Sequence, residues 1–474
     1  MSGWETVVGL EVHVRLATAT KLFCACRNAF GEPPNTTVCP VCLGLPGALP
    51  VTNRAAVRLG LRAAIALDGT VHTESVFARK NYFYPDLPKG YQVSQYDRPF
   101  ATGGGLAIVS PERGAVRIGL TRIHLEEDAG KLIHDRFPDA SAVDLNRAGV
   151  PLAEIVTEPD LRSGPEARAW LETLKQVLQY LEVSDCDMEK GHLRVDANVS
   201  VRRMGEPELG VRQEIKNMNS FAALERAITR LRDEQVAARE RGEQVHAATF
   251  SGATGELRRL RSKETSSDYR YLPEPDLPPL RIPDAWVADE RDRLPELPGP
   301  RCARFRETYG LRPEQAGVLT ATATLADYFE QAVAAGEGTD PVAIANWVTG
   351  PILHDVGEHG GRFRVPPGRV AELVALLEAG TLNRQAARRV LVAIAGDDDD
   401  PARVAERLGL VQVADDDRLG DWVDAAVAAH PEEAARYREG ETRLLGFFMG
   451  EVMKRSGGAA DPHAVRDLLR RRLA

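Results

Sequence analysis

Hydrophobic and polar residues alternate along residues 4–16. Every second residue on one side is apolar, namely Val8, Leu10, Val12, Val14 and Leu16. The positions between them include Glu11 and His13, whose side chains would share the opposite face. This pattern predicts a strand with one buried face. Residues 75–160 show shorter strand patterns between clusters of turn residues, and they predict a mainly antiparallel sheet.

Helical periodicity follows this predicted sheet. A capping box ahead of an apolar stripe predicts a helix over residues 164–182. Two strand patterns, at residues 192–203 and 209–217, come next. A second long helix is predicted near residues 220–242.

The pattern of the chain changes after Arg301, where strand patterns end and alanine-rich helical periods continue to the C-terminus. Residues 285–300 are rich in charge and proline, and we expect a linker there. We therefore predict an α+β fold. Its N-terminal domain, residues 1–293, has a mainly antiparallel sheet with flanking helices. An all-α helical domain (294–400) and a small helical tail domain (401–474) follow.

Composition and charge narrow the class of protein. The 474 residues are 43% hydrophobic and 27% charged, which is typical of globular domains. There is no apolar run of about 18 residues and no secretory signal pattern, so we expect a soluble, cytoplasmic protein without a membrane partner. The formal net charge of −9 argues against unspecific coating of nucleic acid.

Four of the six cysteines lie close together in the sequence: Cys24, Cys26, Cys39 and Cys42. Two thiolate pairs joined by a short loop suit a tetrahedral zinc ion with sulfur ligands at about 2.3 Å. Because cysteine fills all four positions and leaves none for water, such a zinc would be structural. Two disulfides or four unligated thiols are the alternatives, and a reducing compartment disfavours disulfides.

Carboxylates offer a second candidate site. Glu11 and His13 share the polar face of the first strand, and residues 124–128 add a cluster of one histidine and three acidic residues. Hard divalent cations prefer carboxylate oxygens, and ATP chemistry usually needs Mg²⁺. A solvated sheet face with a charged strand end is the alternative interpretation.

Three further segments combine cations with groups that suit nucleotides or RNA, although the chain has no P-loop. Residues 80–86 place a lysine beside aromatic residues, which favours base stacking or, alternatively, a packed turn. Residues 144–160 mix turn residues with carboxylates and one arginine, a composition also typical of an Asx turn. Basic residues of the tail suit either an RNA backbone or a solvated helix surface, and the candidates are Arg436, Arg438, Lys454 and Arg455.

Several of these segments occur in an order that is specific to one family. The segments are Val8–His13, Lys80–Asp86, His124–Lys131, Asn146–Pro151, Arg194–Asn198, Glu214–Asn217, Asp268–Asp276 and Gly446–Lys454. Together they resemble the B subunit of the glutamine-dependent aspartyl/glutamyl-tRNA amidotransferases. The resemblance runs from about residue 7 to the C-terminus.

The resemblance implies a fold and an activity. Members of this family have a cradle domain on an antiparallel sheet, followed by helical domains that grip tRNA. The cradle uses ATP and Mg²⁺ to phosphorylate the side-chain carboxylate of misacylated Glu-tRNA(Gln) or Asp-tRNA(Asn), and ammonia then displaces the phosphate. A glutaminase, the amidase-type A subunit, supplies the ammonia. We therefore expect a carbon–nitrogen ligase in a heterotrimer that also contains a small C subunit, with a non-discriminating aminoacyl-tRNA synthetase as a transient partner.

The resemblance also assigns roles to carboxylates and a histidine. Glu11, His13 and Glu127 match the family's Mg²⁺-binding positions. Glu126 and Glu154 are expected to support the metal or to face the substrate.

Further assignments follow from the same resemblance. Lys80 and Arg147 would stabilise phosphoryl oxygens, and the four cysteines match the zinc-bearing version of the family. Two places depart from the family's pattern. Residues 246–252 lack a charged pair that many relatives carry, and His192 stands where a small hydroxyl residue is more usual.

Two other classes of function compete with this interpretation. A pure RNA-binding module would use the cysteine cluster and the basic tail without catalysis, but the set of Glu11, His13 and Glu127 argues against it. A stand-alone amide ligase for a small molecule would not need a basic tail.

Overall fold

The computed structural model describes residues 3–218, 220–252, 257–260, 269–396, 399–412 and 416–473. The chain divides into two compact units, Met1–Leu297 and Pro298–Ala474. The first unit contains the sheet and the second is helical, so the expected combination of an N-terminal sheet domain with a C-terminal helical region is confirmed. No helix in the described ranges is long and apolar enough to cross a membrane.

Strands and helices build the first unit. The strands are β1 (Trp4–Arg15), β2 (Thr70–Val71), β3 (Glu74–Ser75), β4 (Ala78–Asn81), β5 (Tyr91–Ser94), β6 (Ala101–Thr102), β7 (Gly105–Ser110), β8 (Gly114–Glu127), β9 (Lys131–Ile133), β10 (Ala142–Asp144), β11 (Pro151–Thr157), β12 (Leu193–Arg203), β13 (Gln213–Met218), β14 (Ala248–Ser251), β15 (Arg258–Arg259), β16 (Leu272–Pro273) and β17 (Leu280–Arg281). The helices are α1 (Arg54–Ala66), α2 (Gly164–Tyr180), α3 (Phe221–Glu240) and α4 (Asp284–Asp292).

The main sheet is almost entirely antiparallel, as the sequence predicts. Its strand order is β15-β14-β13-β12-β1-β11-β8-β6-β2, and β7 pairs with β8. Strand β1 pairs with β12 on one side and with β11 on the other. Only the pair of β13 and β14 is parallel among the described strands of this sheet. Small additional sheets join β16-β4-β5, β10-β9 and β17-β3.

One face of this sheet is apolar and forms the core of the first unit. Val8, Val12 and Val14 on β1 have no exposed surface, and Leu61 of α1 and Trp170 of α2 are equally buried in the same core. Burial of a side chain of this size contributes about 1.5–3 kcal/mol before the entropy of folding is subtracted. Because the helices cover this face, the polar face of the sheet is left for a functional site.

The two long helices coincide with the predicted ones to within two residues at each end. Each begins at a serine cap. Ser163 Oγ accepts a hydrogen bond from the backbone N–H of Glu166 at 3.2 Å, and Ser220 Oγ accepts one from that of Ala223 at 3.4 Å. These caps satisfy backbone donors that the first turn of a helix leaves without partners.

The second unit consists of helices around two separate cores. The α-helices are α5 (Pro298–Tyr309), α6 (Pro313–Leu319), α7 (Ala323–Ala335), α8 (Pro341–Trp347), α9 (Leu353–Glu358), α10 (Pro367–Glu378), α11 (Arg384–Ile394), α12 (Pro401–Arg407), α13 (Asp416–Ala429), α14 (Pro431–Arg438), α15 (Leu444–Arg455) and α16 (Pro462–Leu473). A π-helical turn, Val348–Ile352, joins α8 to α9. Val404 of α12 belongs to the first core, and Leu419 of α13 belongs to the second. The domain limits at 293/294 and 400/401 stay predictions.

The predicted linker at residues 285–300 is wrong, because α4 and the start of α5 lie there. The Trp286 ring lies 5.8 Å from the guanidinium of Arg58 on α1. Glu290 is only 1% exposed, and its carboxylate pairs with Arg58 and Arg62, each at 3.1 Å. The charged residues that suggest a linker therefore form ion pairs that dock α4 on α1.

Candidate active site

Three adjacent strands bring the candidate residues together on the polar face of the main sheet. In the register of β1 and β11, His13 is paired with Glu154, and in that of β11 and β8, Glu154 is paired with His124. Directly paired residues of antiparallel strands point to the same face. Glu126 follows His124 by two positions on β8, so it shares this face as well.

Two imidazoles and two carboxylates make close contacts there. His13 Nε2 lies 3.3 Å from Glu126 Oε1 and 3.2 Å from Glu154 Oε2. His124 Nε2 lies 3.2 Å from Glu154 Oε2 and 3.6 Å from Glu126 Oε2. One ligand atom each of His13, Glu126 and Glu154 lies within 4.8 Å of the others. These three residues form what we call the His-Glu-Glu trio.

The charges of this cluster shift its pKa values strongly. Burial by itself would lower the pKa of His124, but the charges of Glu154 and Glu126 raise that pKa to about 9. The pKa of His13 is likewise raised by Glu154 and Glu126, against the effect of burial. Burial would raise the pKa of Glu154, but the two imidazoles hold it well below its usual range. Glu154 is therefore ionised at neutral pH and is matched by the proton on His124, which a divalent cation would displace.

The donor set of the trio fits a divalent cation. Carboxylate oxygens suit Mg²⁺ and Mn²⁺, while imidazole favours transition metals. His124 is 3% exposed, and its Nδ1 has no hydrogen-bond partner among the described residues. Arg122 Nε, Arg194 Nε and Asn198 Oδ1, on the same face, are also buried without such a partner in the described ranges. Since buried polar atoms normally have a partner, this face is suited to a polar ligand.

Glu11 lies on this face but outside the trio. Its carboxylate accepts a hydrogen bond from Asn198 Nδ2 at 2.9 Å, and it is directly paired with Asp196 on β12. Lys216 Nζ lies 3.0 Å from Asp196 Oδ2 and also pairs with Glu214. Burial would lower the pKa of Lys216, but these two carboxylates raise it. An acidic row with one internal cation therefore extends the site along β12 and β13.

The structure does not bring Glu127 to Glu11 and His13. Consecutive residues of a strand point to opposite faces, so Glu127 lies across the sheet from Glu126. Its carboxylate pairs with Lys89 and accepts a hydrogen bond from the backbone N–H of Val93 at 2.9 Å. The residues that do come together with His13 are Glu126 and Glu154.

Arg147 lies at the end of β8, where Asp128 joins two guanidinium groups. Arg194 Nη2 is 2.8 Å and Arg147 Nε is 3.5 Å from Asp128 Oδ2. Burial would raise the pKa of Asp128, but these two arginines lower it. Arg147 also donates to the carbonyl oxygens of Ala129 and Gly130, at 3.0 and 2.6 Å. Asp128 therefore orients two guanidinium groups at this end of the site.

Lys80 lies within a cluster of tyrosines near the trio. Its Nζ is 4.8 Å from the ring centre of Tyr269 and 5.9 Å from that of Tyr82. The rings of Tyr96 and Tyr271 stack with their centres 4.0 Å apart. Burial, with the charge of Glu126 next, raises the pKa of both Tyr82 and Tyr271, which places these rings within electrostatic reach of the trio. A cation among aromatic rings suits the stacking of a nucleobase.

The four clustered cysteines converge as the sequence predicts. Their four sulfur atoms all lie within 4.8 Å of one another, and none of the four forms a disulfide. Cys42 Sγ accepts a hydrogen bond from the backbone N–H of Cys39 at 3.1 Å. A hydrogen bond from Cys24, together with this N–H and the charge of Lys21, lowers the pKa of Cys42 to about 4. Four convergent sulfurs fit a tetrahedral zinc ion.

The two departures from the family's pattern have defined places. His192 joins the loop after α2 to β1, because its Nδ1 lies 2.8 Å from Asp185 Oδ1 and its Nε2 lies 3.0 Å from Arg15 Nη1. Arg15 in turn donates to Asn28 Oδ1 at 2.9 Å. The altered segment 246–252 contributes β14, which extends the sheet beside β13.

The predicted RNA-binding residues lie at the C-terminal ends of two packed helices in the second unit. Arg436 and Arg438 are in the last turn of α14, and Lys454 and Arg455 are in the last turn of α15. All four side chains are exposed. Arg436 is paired with Glu441 at 2.8 Å.

Sequence reasoning included His124 in the acidic cluster but gave it no role, and it placed Glu126 in a supporting role. The parity of positions along β8 was the signal that could have found both, because residues 124 and 126 share a face that residue 127 cannot join. The additional roles of Asp196, Asn198 and Lys216 depend on strand pairing, and periodicity does not reveal pairing partners.

The fold combines a domain built on an antiparallel sheet, with a candidate cation site on its polar face, and a helical region. Residues 6–288 match the family model described as the GatB/GatE catalytic domain. Residues 327–473 match the model described as the GatB domain. The chain therefore belongs to the GatB family, and the resemblance inferred from the sequence is confirmed.

Full-length relatives carry one name. A protein of Moorella thermoacetica is 49% identical, covering 99% of this chain and 100% of the relative. One from Halorhodospira halophila is 47% identical, covering 99% of both chains. A third, from an Anaeromyxobacter species, is 48% identical, and the match covers 100% of this chain and 99% of that relative. Each is named as the B subunit of an aspartyl/glutamyl-tRNA(Asn/Gln) amidotransferase.

Proposed function

We propose that this chain is the component of a tRNA-dependent amidotransferase that activates the side-chain carboxylate of Glu-tRNA(Gln), Asp-tRNA(Asn) or both. The observation that carries the proposal is the convergence of His13, Glu126 and Glu154 in a chain whose full-length relatives bear that name. The products would be Gln-tRNA(Gln) and Asn-tRNA(Asn), formed by a ligase with glutamine as the amide donor.

The chemistry explains why ATP is needed. A carboxylate is a poor electrophile because hydroxide is a poor leaving group. A carboxylate oxygen of the substrate attacks the γ-phosphorus of ATP, and ADP leaves with the electrons of the broken bond. Ammonia then attacks the carbonyl carbon of the acyl phosphate, inorganic phosphate leaves, and the nitrogen loses a proton. The substrate carboxylate is already ionised at neutral pH, so the first step needs no strong general base.

Residues of this chain would divide the work as follows. His13, Glu126 and Glu154 would hold Mg²⁺, which when bound neutralises charge on the transferring phosphoryl group. Glu11 lies on the same face of the sheet, two positions before His13 on β1, and would join the trio to the acidic row along β12 and β13. Glu127, on the other face, would act only indirectly, by holding Lys89.

Two cations would bind anionic groups of the substrates. Arg147 is held in place by Asp128 and two backbone carbonyls, so its guanidinium is oriented before any ligand binds. Lys80 is held among tyrosine rings, where a phosphoryl group and a base could bind together. Orienting charge in advance is the largest contribution that a protein makes to phosphoryl transfer.

The proposed assembly follows from the relatives' name, because a B subunit implies further subunits. We propose a cytoplasmic heterotrimer with a glutaminase as its A subunit and a small C subunit, and transient contact with a non-discriminating synthetase. Arg436, Arg438, Lys454 and Arg455 would contact tRNA phosphates, and the four cysteines would hold a structural zinc ion.

ATP hydrolysis by the chain reconstituted with the candidate glutaminase and the candidate small partner tests the proposal. Reactions contain Mg²⁺ and either Glu-tRNA(Gln), Asp-tRNA(Asn), correctly charged Glu-tRNA(Glu) or no RNA. We expect one or both misacylated tRNAs to stimulate hydrolysis and to yield the amide. A complex that binds tRNA but shows no stimulation would instead indicate an RNA-binding module. Activity that survives deletion of residues 401–474 would favour a small-molecule ligase.

A further inference from the structure

Lys21 is a fully buried lysine next to the cysteine cluster. Its side chain has no exposed surface, although lysine is almost never fully buried unless it is paired. Its Nζ lies 3.6 Å from Cys42 Sγ. Within the described ranges this ammonium group forms no ion pair with a carboxylate, and Cys42 Sγ is its side-chain partner there.

The backbone around Lys21 directs the side chain into this position. The N–H of Lys21 donates to the carbonyl of Cys26 at 2.9 Å, and its carbonyl accepts from Asn53 Nδ2 at 3.1 Å. Gly149 leaves the space that the contact needs. A Cβ at Gly149 would lie 3.3 Å from Cys42 Cβ and 3.6 Å from Lys21 Cδ, and the φ of 85° at this residue disfavours any side chain.

We propose that Lys21 is the counter-ion of a zinc tetrathiolate at Cys24, Cys26, Cys39 and Cys42. The inference rests on the structural zinc of the proposed function. One Zn²⁺ with four thiolates carries two net negative charges, and burying a net charge is costly unless an opposite charge compensates it. An ammonium group at Cys42 removes half of this net charge and donates a hydrogen bond to the thiolate.

The charge balance also works in the other direction. Without zinc, the charge that Lys21 would balance is missing, and only the contact with Cys42 offsets the cost of burying its ammonium group. Replacing Lys21 by a neutral side chain therefore has opposite consequences in the two states. It weakens zinc binding in the loaded protein and relieves a charge in a protein that never binds zinc.

Zinc release from the full-length chain tests this proposal. The chain is purified, its zinc content is measured, and transfer of zinc to a chromogenic chelator is followed over time. Lys21→Met keeps the apolar stem without the charge, and Lys190→Met, at an exposed lysine paired with Asp187, is the matched control. Loss of a group that supports metal ligands typically weakens binding 10–100-fold, so we expect release about 10–100 times faster from Lys21→Met alone.

A double-mutant comparison shows whether Lys21 acts through Cys42. Lys21→Met should accelerate release further in a Cys26→Ser background but should add little in a Cys42→Ser background. If Lys21→Met does not fold, the single serine variants still decide, because Cys42→Ser also deprives Lys21 of its partner and should release zinc faster than Cys26→Ser. If zinc is released equally fast with lysine and with methionine at position 21 in every background, the role of Lys21 is overturned and the zinc site stays intact. If the purified chain contains no zinc and its Lys21→Met variant has a higher melting temperature, both the role of Lys21 and the zinc site are overturned.

Discussion

Glu126 and Glu127 are consecutive on β8, yet their carboxylates lie on opposite faces of the sheet. That of Glu126 lies 3.3 Å from His13 Nε2, whereas that of Glu127 accepts a hydrogen bond from the backbone of Val93 at 2.9 Å. The pleat of the strand thus gives two identical neighbours different chemistry.

Neutral substitution of these two glutamates should separate catalysis from stability. We expect Glu126→Gln to lower the rate of tRNA-stimulated ATP hydrolysis about 100-fold or more, because the cation site loses a charged ligand. Glu127→Gln should keep divalent-cation affinity but lower the free energy of unfolding by about 3 kcal/mol, because it leaves Lys89 unpaired. The rate of tRNA-stimulated ATP hydrolysis measures the effect of Glu126→Gln. Calorimetric titration with Mn²⁺ and urea unfolding measure the cation affinity and the stability of Glu127→Gln, and the exposed Glu172→Gln is the control. Loss of Mn²⁺ binding in Glu127→Gln alone would reverse the assignment.

The metal-free protein should lose stability as the pH rises from about 6.5 to 9. The pKa of His124 is raised from its usual 6.5 to about 9 in the folded state. A raised pKa stabilises the folded protein fully below the unfolded value, and this contribution disappears as the pH passes the folded value. The expected loss is on the order of 3 kcal/mol. Urea unfolding at several pH values in a chelator measures it, and His124→Gln should flatten the dependence. A slope unchanged in that variant would refute the explanation.

Divalent cations should counteract this loss, because they bind the unprotonated imidazoles and the carboxylates. Affinity for Mn²⁺ should therefore rise between pH 6 and 9, and binding should release protons, which calorimetry in buffers of different ionisation enthalpy detects. Binding without any proton release would place the cation away from His13 and His124.

Removal of zinc should expose four thiols at once. Protein washed with a weak chelator should retain about one zinc per chain, and a strong chelator under denaturing conditions should release it. A thiol reagent should then react with the four clustered cysteines, and cysteine-to-serine variants of Cys186 and Cys302 provide the background. Four reactive thiols in native, washed protein without zinc would eliminate the assignment.

His192 should hold Arg15 through the ring nitrogen Nε2. Arg15 can only donate, so His192 Nε2 must accept, and Nδ1–H must donate to Asp185. His192→Phe should lower the free energy of unfolding by about 1–3 kcal/mol, since it removes both bonds, and His192→Gln should restore part of this. His72, with one hydrogen bond to Thr102 at 2.9 Å, is the matched control position. A loss of stability in His192→Gln as large as that in His192→Phe would contradict the role of these hydrogen bonds.

The basic residues of the tail should contribute to tRNA binding through their charge alone. Alanine at Arg438, Lys454 or Arg455 should weaken tRNA binding and lower the slope of log affinity against log salt by about one for each phosphate that the variant no longer neutralises. Arg472, which pairs with Asp424 at 3.1 Å, is a control in the same unit. Filter binding at several salt concentrations measures the slopes, and unchanged slopes would contradict an interaction with phosphate.

Local patterns predicted much of the fold. The alternation in β1, the capping box and apolar stripe of α2, and the helical pattern of α3 depend on neighbours within a few residues, and the structure matches them closely. Prediction was wrong at residues 285–300, where the charged residues of α4 find partners on α1 that are distant in sequence. A charged helix and a linker have similar composition, and only the ion pairs distinguish them.

The sequence by itself determined the polar face of β1, the two long helices, the helical C-terminal region and the four clustered cysteines. In each case residues close in the chain, at a fixed spacing, carry the information. Only the tertiary structure decided that His13, His124 and Glu154 meet, that Glu126 and not Glu127 joins them, and that Lys21 is buried against Cys42. Strand order and register bring together residues more than a hundred positions apart, and a shift by one residue would exchange the two faces of a strand.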